Sequence, residues 1–332
     1  MRQAWKTTLY AYVEQHNRHE VDERPQALLT PITDRRYVLM MSERRQRLRE
    51  WYRSRDFEPV KSQTKAKLNR VREAEGEVHV DLEFHVQRIG QQKGTTLIEE
   101  RLESERVVLV KEEGDWVIAQ IEHAAPERKP MSTLMQDKKL LQEQRSTARP
   151  FLNRNVLGHS KPANLTPYRR EMAVEYAELY WNEPNPQFLH FEVDCTNYVS
   201  QCLFAGGAPM NYTGKRELGW WYRGMVADRE AWSYSWAVSN SLEGYFTHNQ
   251  SGLRAIAVDY PQELKLGDVI LYDWDGNGHY QHSSIVTAFD LNGMPLVNAH
   301  TTNSRHRYWD YQDSYAWTEA TAYRFFHIRD VF

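Results

Sequence analysis

In each half of this 332-residue chain a stretch of helical spacing gives way to one of strict apolar-polar alternation, and that repeated change of period is what most limits the fold. Residues 1–20 and 38–57 read as helices, the second strongly basic through Arg44, Arg45, Arg47 and Arg49. GEVHVDLEFHVQRI, TTLIEERLESERVVLVKEE and DWVIAQIEHA then alternate as half-buried antiparallel strands do, with Glu112–Asp115 supplying a turn. In the second half Thr166 followed by Pro167 predicts a helix start, since Pro tolerates the first helical position and Thr can accept an orphan N–H. Met172, Tyr176, Leu179 and Tyr180 share one stripe of that helix. Beyond Leu264, GDVILYDW, HSSIVTAFD, LNGMPLVNAH and ATAYRFFHIRD read as strands, and Asn292-Gly293 is a hairpin signal between two of them. The expected class is α+β: an accessory domain over 1–127 with helices then antiparallel strands, a linker with a short helix over 128–165, and a second α+β domain over 166–332.

The length exceeds what one core usually organises. A net charge of -3 gives no pull toward nucleic acid or an anionic membrane. The arginines of the second helix read as a solvated face, the alternative being a docking surface for a protein partner of the N-terminal domain. No run of about 18 apolar residues occurs, and the start MRQAWKTTLYAYVEQHNRHE lacks the apolar stretch of a secretory signal, so the chain reads as cytoplasmic, with export left open. No cofactor is called for. Only two cysteines are present, Cys195 and Cys202, which excludes a disulfide framework. On one helix they would stand about 10 Å apart along the axis, beyond disulfide reach. Eight of the eleven tryptophans lie between Trp181 and Trp317, a density that suits an aromatic core better than a cleft.

The stretch FEVDCTNYVSQCLFAGG carries most of the chemistry. Asp194 is a good helix N-cap, Tyr198, Val199, Cys202 and Leu203 make one apolar stripe, and Gly206-Gly207 ends the helix. Cys195 then sits in the first turn, where unpaired N–H groups and the macrodipole favour thiolate over thiol. Cys202, two turns deeper, fits a buried hydrophobe, which is also the ordinary reading of any lone cysteine. A thiolate needs a base, and the base a third group to fix its tautomer. His282 opens HSSIVTA after a polar loop, and Asn298 and His300 lie on one face of LVNAH. Either could hold the imidazole, because a bulge would change the register between the strands. In YDWDGNGHYQH, Asp273, Asp275 and Asn277 resemble the first half of a calcium loop, but Ser284 stands where the bidentate Glu is needed. A plain Asp-Gly turn is the preferred reading, and no metal is assigned. The aromatic loop NYTGKRELGWWYRGMVADREAWSYSW either walls a cleft or covers the core.

The ordered motifs D-C-T-N-Y-V-S-Q-C, L-K-L-G-D-V-I-L-Y, H-S-S-I-V-T and L-V-N-A-H-T resemble the amidase domain family of Bacillus-type bacteria. The likeness covers roughly residues 166–330. That family is similar to the NlpC/P60 and CHAP cell-wall peptidases, which implies a C-terminal papain-like fold with helices packed on an antiparallel sheet. By this resemblance Cys195 matches the nucleophile, His282 the base and Asn298 the orienting position, with His300 as the alternative. It implies a cysteine-dependent amide hydrolase acting on a peptide, cell-wall peptide or related amide. The backbone N–H of Cys195 is the natural first oxyanion donor, and Gln187 lies upstream at a register the sequence does not define. An acyltransferase using the same pair, or a silent binding module on the same fold, are the competing readings.

Overall fold

A computed structural model of the protein describes residues 4–21, 31–129, 166–226, 229–249 and 251–332. The expected linker lies outside them apart from Arg128 and Lys129. The chain divides into two compact units, the first Met1–Ala125 with Asp290–Asn292 and Tyr311–Tyr315, the second Pro126–Phe289, Gly293–Asp310 and Ala316–Phe332. Both combine helices with antiparallel sheet, so the class is α+β.

In the first unit α1 (Trp5–Val21) and α2 (Arg35–Ser54) precede four antiparallel strands in the order β1-β2-β3-β4: Glu58–Ala74, Glu77–Gln92, Thr95–Glu112 and Asp115–His123. Asp34 caps α2 by accepting the N–H groups of Arg36 and Tyr37, and its other oxygen accepts the N–H of Ile121 on β4. The alternation read in β2 is the alternation of burial, with Val78, Val80, Leu82, Phe84 and Val86 in a core that also takes Trp5, Leu9, Tyr12, Tyr37 and Met41 from the helices. β1 was not foreseen, because its residues are mostly polar and most are exposed. Its register is set by pairing with β2 rather than by any hydrophobic face. Arg88 is fully buried and bridges Glu20 at 2.5 Å, Glu99 at 2.6 Å and Asp313 at 3.2 Å, while Glu20 also takes Arg44 at 2.7 Å.

The second unit contains α3 (Arg170–Leu179), α4 (Cys195–Ala205), a hairpin of β5 (Tyr222–Val226) and β6 (Arg229–Trp232), α5 (Tyr234–Ala237) and α6 (Ser239–His248). Its antiparallel sheet adds β7 (Ala255–Val258), β8 (Val269–Asp273), β9 (His282–Phe289), β10 (Pro295–Ala299), β11 (Ser304–Tyr308) and β12 (Ala322–Ile328), in the order β11-β10-β9-β8-β12-β7. The helix start expected at Thr166-Pro167 is corrected: the helix begins at Arg170, and Pro167 forms a bridge with Val331 while the Thr166 N–H donates to Phe332 O. The Arg170 guanidinium anchors that helix by donating to Asp268 Oδ1 at 2.7 Å. Val199, Cys202 and Leu203 of α4 pack on Val269 and Leu271 of β8 and Ile285 of β9. Trp220, Trp232 and Trp236 of the aromatic loop complete this core, and two of them are tied to α4: Trp236 Nε1 donates to Asn197 Oδ1 at 2.8 Å and Trp220 Nε1 to Ser200 Oγ at 3.0 Å. Gly207, just past the end of α4, takes the left-handed conformation at φ 91°.

Candidate active site

Cys195 is the first residue of α4 and Asp194 its N-cap, as the motif implied. Asp194 does not cap its own helix through its side chain. One carboxylate oxygen accepts the Phe191 N–H at 3.0 Å and Asn197 Nδ2 at 2.8 Å, and the other faces His300 Nδ1 at 2.7 Å and His190 Nδ1 at 3.5 Å. Burial alone would push this carboxyl up, but the hydrogen bonds from His190 and His300 outweigh it and hold it at about 2. The other nitrogen of His300 faces the Tyr180 carbonyl oxygen at 2.6 Å, and the ring stacks on Tyr198. The helix start is capped in trans instead: Thr301 Oγ1 accepts the N–H of Asp194 at 3.0 Å and that of Cys195 at 3.1 Å. Thr301 does so with φ at 80°, a costly conformation for a β-branched residue.

Cys195 is 1% exposed. Around it stand Ser239 Oγ at 3.7 Å, Thr196 Oγ1 at 3.8 Å and the Gln281 carbonyl oxygen at 3.9 Å. Thr196 Oγ1 is in turn 2.8 Å from Ser239 Oγ and 3.0 Å from Ser283 Oγ. Ser239 is the first residue of α6. Sequence reasoning missed all three hydroxyls; the one signal was that Thr196 and Ser283 each directly follow a residue assigned to catalysis.

The expected partners are not brought to the sulfur. Ser283 points at Thr196 of α4, so strand alternation turns the neighbouring His282 ring to the opposite face of the sheet. There it packs on Tyr272, directly across on β8, and on Trp274. Burial pushes this imidazole down to about 4, with Glu127 opposing and Arg307 adding to the depression, so the ring is neutral at pH 7. Asn298 is opposite Ile285, on the α4 face, across the sheet from the side that His282 takes. Its Oδ1 accepts from Thr287 Oγ1 and the His306 N–H, and its Nδ2 donates to Glu178 Oε1 at 2.9 Å. His300 serves Asp194 rather than His282. The Cys195 N–H expected in the oxyanion site is taken by Thr301. Gln187 is exposed, its N–H held by Asn185. The 273–277 loop is a self-satisfied turn: Asp273 accepts the N–H groups of Asp275 and Gly278, Asn277 that of His279, and Asp275 pairs with Arg128. No group of three or more His, Cys, Asp or Glu residues suited to a metal occurs among the described residues. Cys202 is buried, and burial pushes its thiol well up.

Residues 167–326, which hold every one of these groups in α4, α6 and the sheet, match the family described as "Putative amidase domain". Over 299 residues the chain is 36% identical to the uncharacterized protein YhbB of Bacillus subtilis (strain 168), covering 88% of this chain and 87% of that one. The chain belongs to this amidase-domain family. A second protein of that organism, the uncharacterized YjcM, is 28% identical over 145 residues, 41% of this chain and 31% of its own. No solved structure matches. Membership in the amidase-domain family points to amide hydrolysis as the class of reaction. Among the described residues no helix is long and apolar enough to cross a membrane.

Proposed function

We propose that this amidase-domain protein is an amide hydrolase with Cys195 as its nucleophile, built on a papain-like plan related to the NlpC/P60 enzymes and acting on a peptide, cell-wall peptide or similar amide. The observation that carries the reading is the place of Cys195: first residue of α4, inside the family match, with two side-chain hydroxyls against its sulfur. Thiolate attack on the amide carbonyl forms a tetrahedral oxyanion, a proton passes to the leaving amine, and water cleaves the thioester.

The arrangement described is a resting one. For His282 to take the thiol proton, as the family resemblance implies, its ring must leave the Tyr272 and Trp274 side of the sheet, and for the Cys195 N–H to hold an oxyanion the Thr301 hydroxyl must withdraw. A second reading, a binding module without turnover, is favoured by the enclosed sulfur and the averted ring.

The experiment is amine release from a panel of peptide amides by the full-length chain, with and without added acceptor amine. Release that vanishes in Cys195→Ser and in His282→Ala is the expected result. Release that survives Cys195→Ser overturns the nucleophile assignment, absence of release from the unsubstituted chain across the panel supports the binding module, and formation of a new amide with the added amine indicates an acyltransferase.

A further inference from the structure

We propose that Ser239 is a catalytic residue of this site, its hydroxyl donating to the Cys195 thiolate, with Thr196 and Ser283 as positioning residues that orient it; the inference rests on the reading of Cys195 as nucleophile. Three hydroxyls lie in a row beside the sulfur, Ser283 Oγ to Thr196 Oγ1 at 3.0 Å, Thr196 Oγ1 to Ser239 Oγ at 2.8 Å, and Ser239 Oγ to Cys195 Sγ at 3.7 Å. Each hydroxyl has one hydrogen to give. If each donates forward along the row, the last hydrogen points at the sulfur, and the row is complete only when the sulfur is an acceptor. Thr196 Oγ1, 3.8 Å from the sulfur, offers a second approach from the same side.

The two protonation states thus have different partners. As a thiol, Cys195 can donate to the Gln281 carbonyl at 3.9 Å; as a thiolate it accepts from Ser239. The carbonyl oxygen disfavours the thiolate, and two features act against it. Ser239 opens the ten-residue α6 as Cys195 opens α4, so the positive ends of two helices meet at one sulfur. Thr196, Ser239 and Ser283 are all buried, so a hydroxyl removed from the row is not replaced by bulk water. Among the described residues no imidazole stands at the sulfur, and the hydroxyl row is the group beside it that can hold the negative charge.

The test is the rate of carbamidomethylation of Cys195 in the full-length chain, followed by mass spectrometry of the modified peptide from about pH 6 to about pH 10. In that reaction the thiol proton goes to the buffer, an S–C bond forms and iodide leaves, so the rate reports the thiolate and needs no turnover. Ser239→Ala is expected to slow labelling about tenfold at neutral pH and to move the half-maximal pH up by about one unit, while Ser239→Thr keeps the original profile. Thr196→Val, which leaves Ser239 without its orienting partner, is expected to slow labelling in the same direction and decides the matter should Ser239→Ala fail to fold. Labelling of Cys195 that is fast and equal in the unsubstituted chain, Ser239→Ala and Thr196→Val overturns the role of the hydroxyls and leaves the nucleophile standing. Labelling of Cys195 no faster than that of Cys202 in the unsubstituted chain overturns the nucleophile and this inference together.

Discussion

Asp194 sits at a helix N-terminus yet caps none of that helix's backbone N–H groups with its side chain, giving one carboxylate oxygen to Phe191 and Asn197 and the other to His300 and His190. The residue type was legible in the sequence and its duty was not, because the imidazole that claims it arrives from the turn after β10, more than a hundred residues later. The same distance hid the averted ring of His282: its position at the start of β9 could be read, but which face it takes depends on Ser283 meeting Thr196 across the core. Replacing Asp194 by Asn leaves the His300 ring, the Phe191 N–H and the Asn197 side-chain amide around a group that no longer carries charge. The expected loss is about 3 kcal/mol or more, read as a lower urea midpoint with an unchanged m-value. The sign with pH follows from the depressed carboxyl: its stabilisation is complete above its ordinary range and is lost only as pH falls toward about 2.

At the scale of elements, legibility followed burial. β2, β3, β4, β8, β9, β10 and β12 show themselves because a buried face imposes alternation or a continuous apolar run. β1 lacks such a face, β5 exposes three of its five residues, and β6 and β7, at four residues each, are too short to show a period. Pro167 was misplaced because a proline suited to a helix start is equally suited to a strand position that needs no N–H, the bonds here being made by its neighbours Thr166 and Tyr168, and Val331, its partner, lies at the far end of the chain. The aromatic loop folds back through the bridge of Asn211 with Trp220, and Gly219 beside it has φ 76° with the Asn211 carbonyl oxygen only 2.0 Å from where a Cβ would be. A backbone atom cannot step aside as a side chain can. Gly219→Ala is therefore expected to cost about 3 kcal/mol or more and to disturb the near-ultraviolet dichroism of the packed tryptophans, whereas unchanged stability would show that the loop is free to shift.

Across the whole molecule each unit holds a histidine that folding keeps neutral: desolvation lowers the half-buried His19 in the first and the fully buried His282 in the second to about 4. An unfolded chain takes up those protons near pH 6.5, so the unfolded state binds more protons between there and about 4, and folding weakens as pH drops through that window. For His282 the loss approaches about 3 kcal/mol at the acid end. Urea midpoints at pH 7 and at about pH 4.5 are expected to differ by less in His282→Asn than in the unsubstituted chain, and an equal drop in both would remove this imidazole as a cause. The first unit carries one more consequence. Arg88, which has no route to water, finds one of its counter-charges in Asp313, and the unit is completed by the short pieces Asp290–Asn292 and Tyr311–Tyr315. A ribosome that has finished Ala125 must still add roughly 190 residues, a delay of roughly ten to forty seconds, before that aspartate emerges. The first unit is thus begun before the second yet is among the last parts able to finish folding, and a fragment cut after Ala125 would keep Glu20 and Glu99 beside Arg88 but lack the third carboxylate that completes its charge.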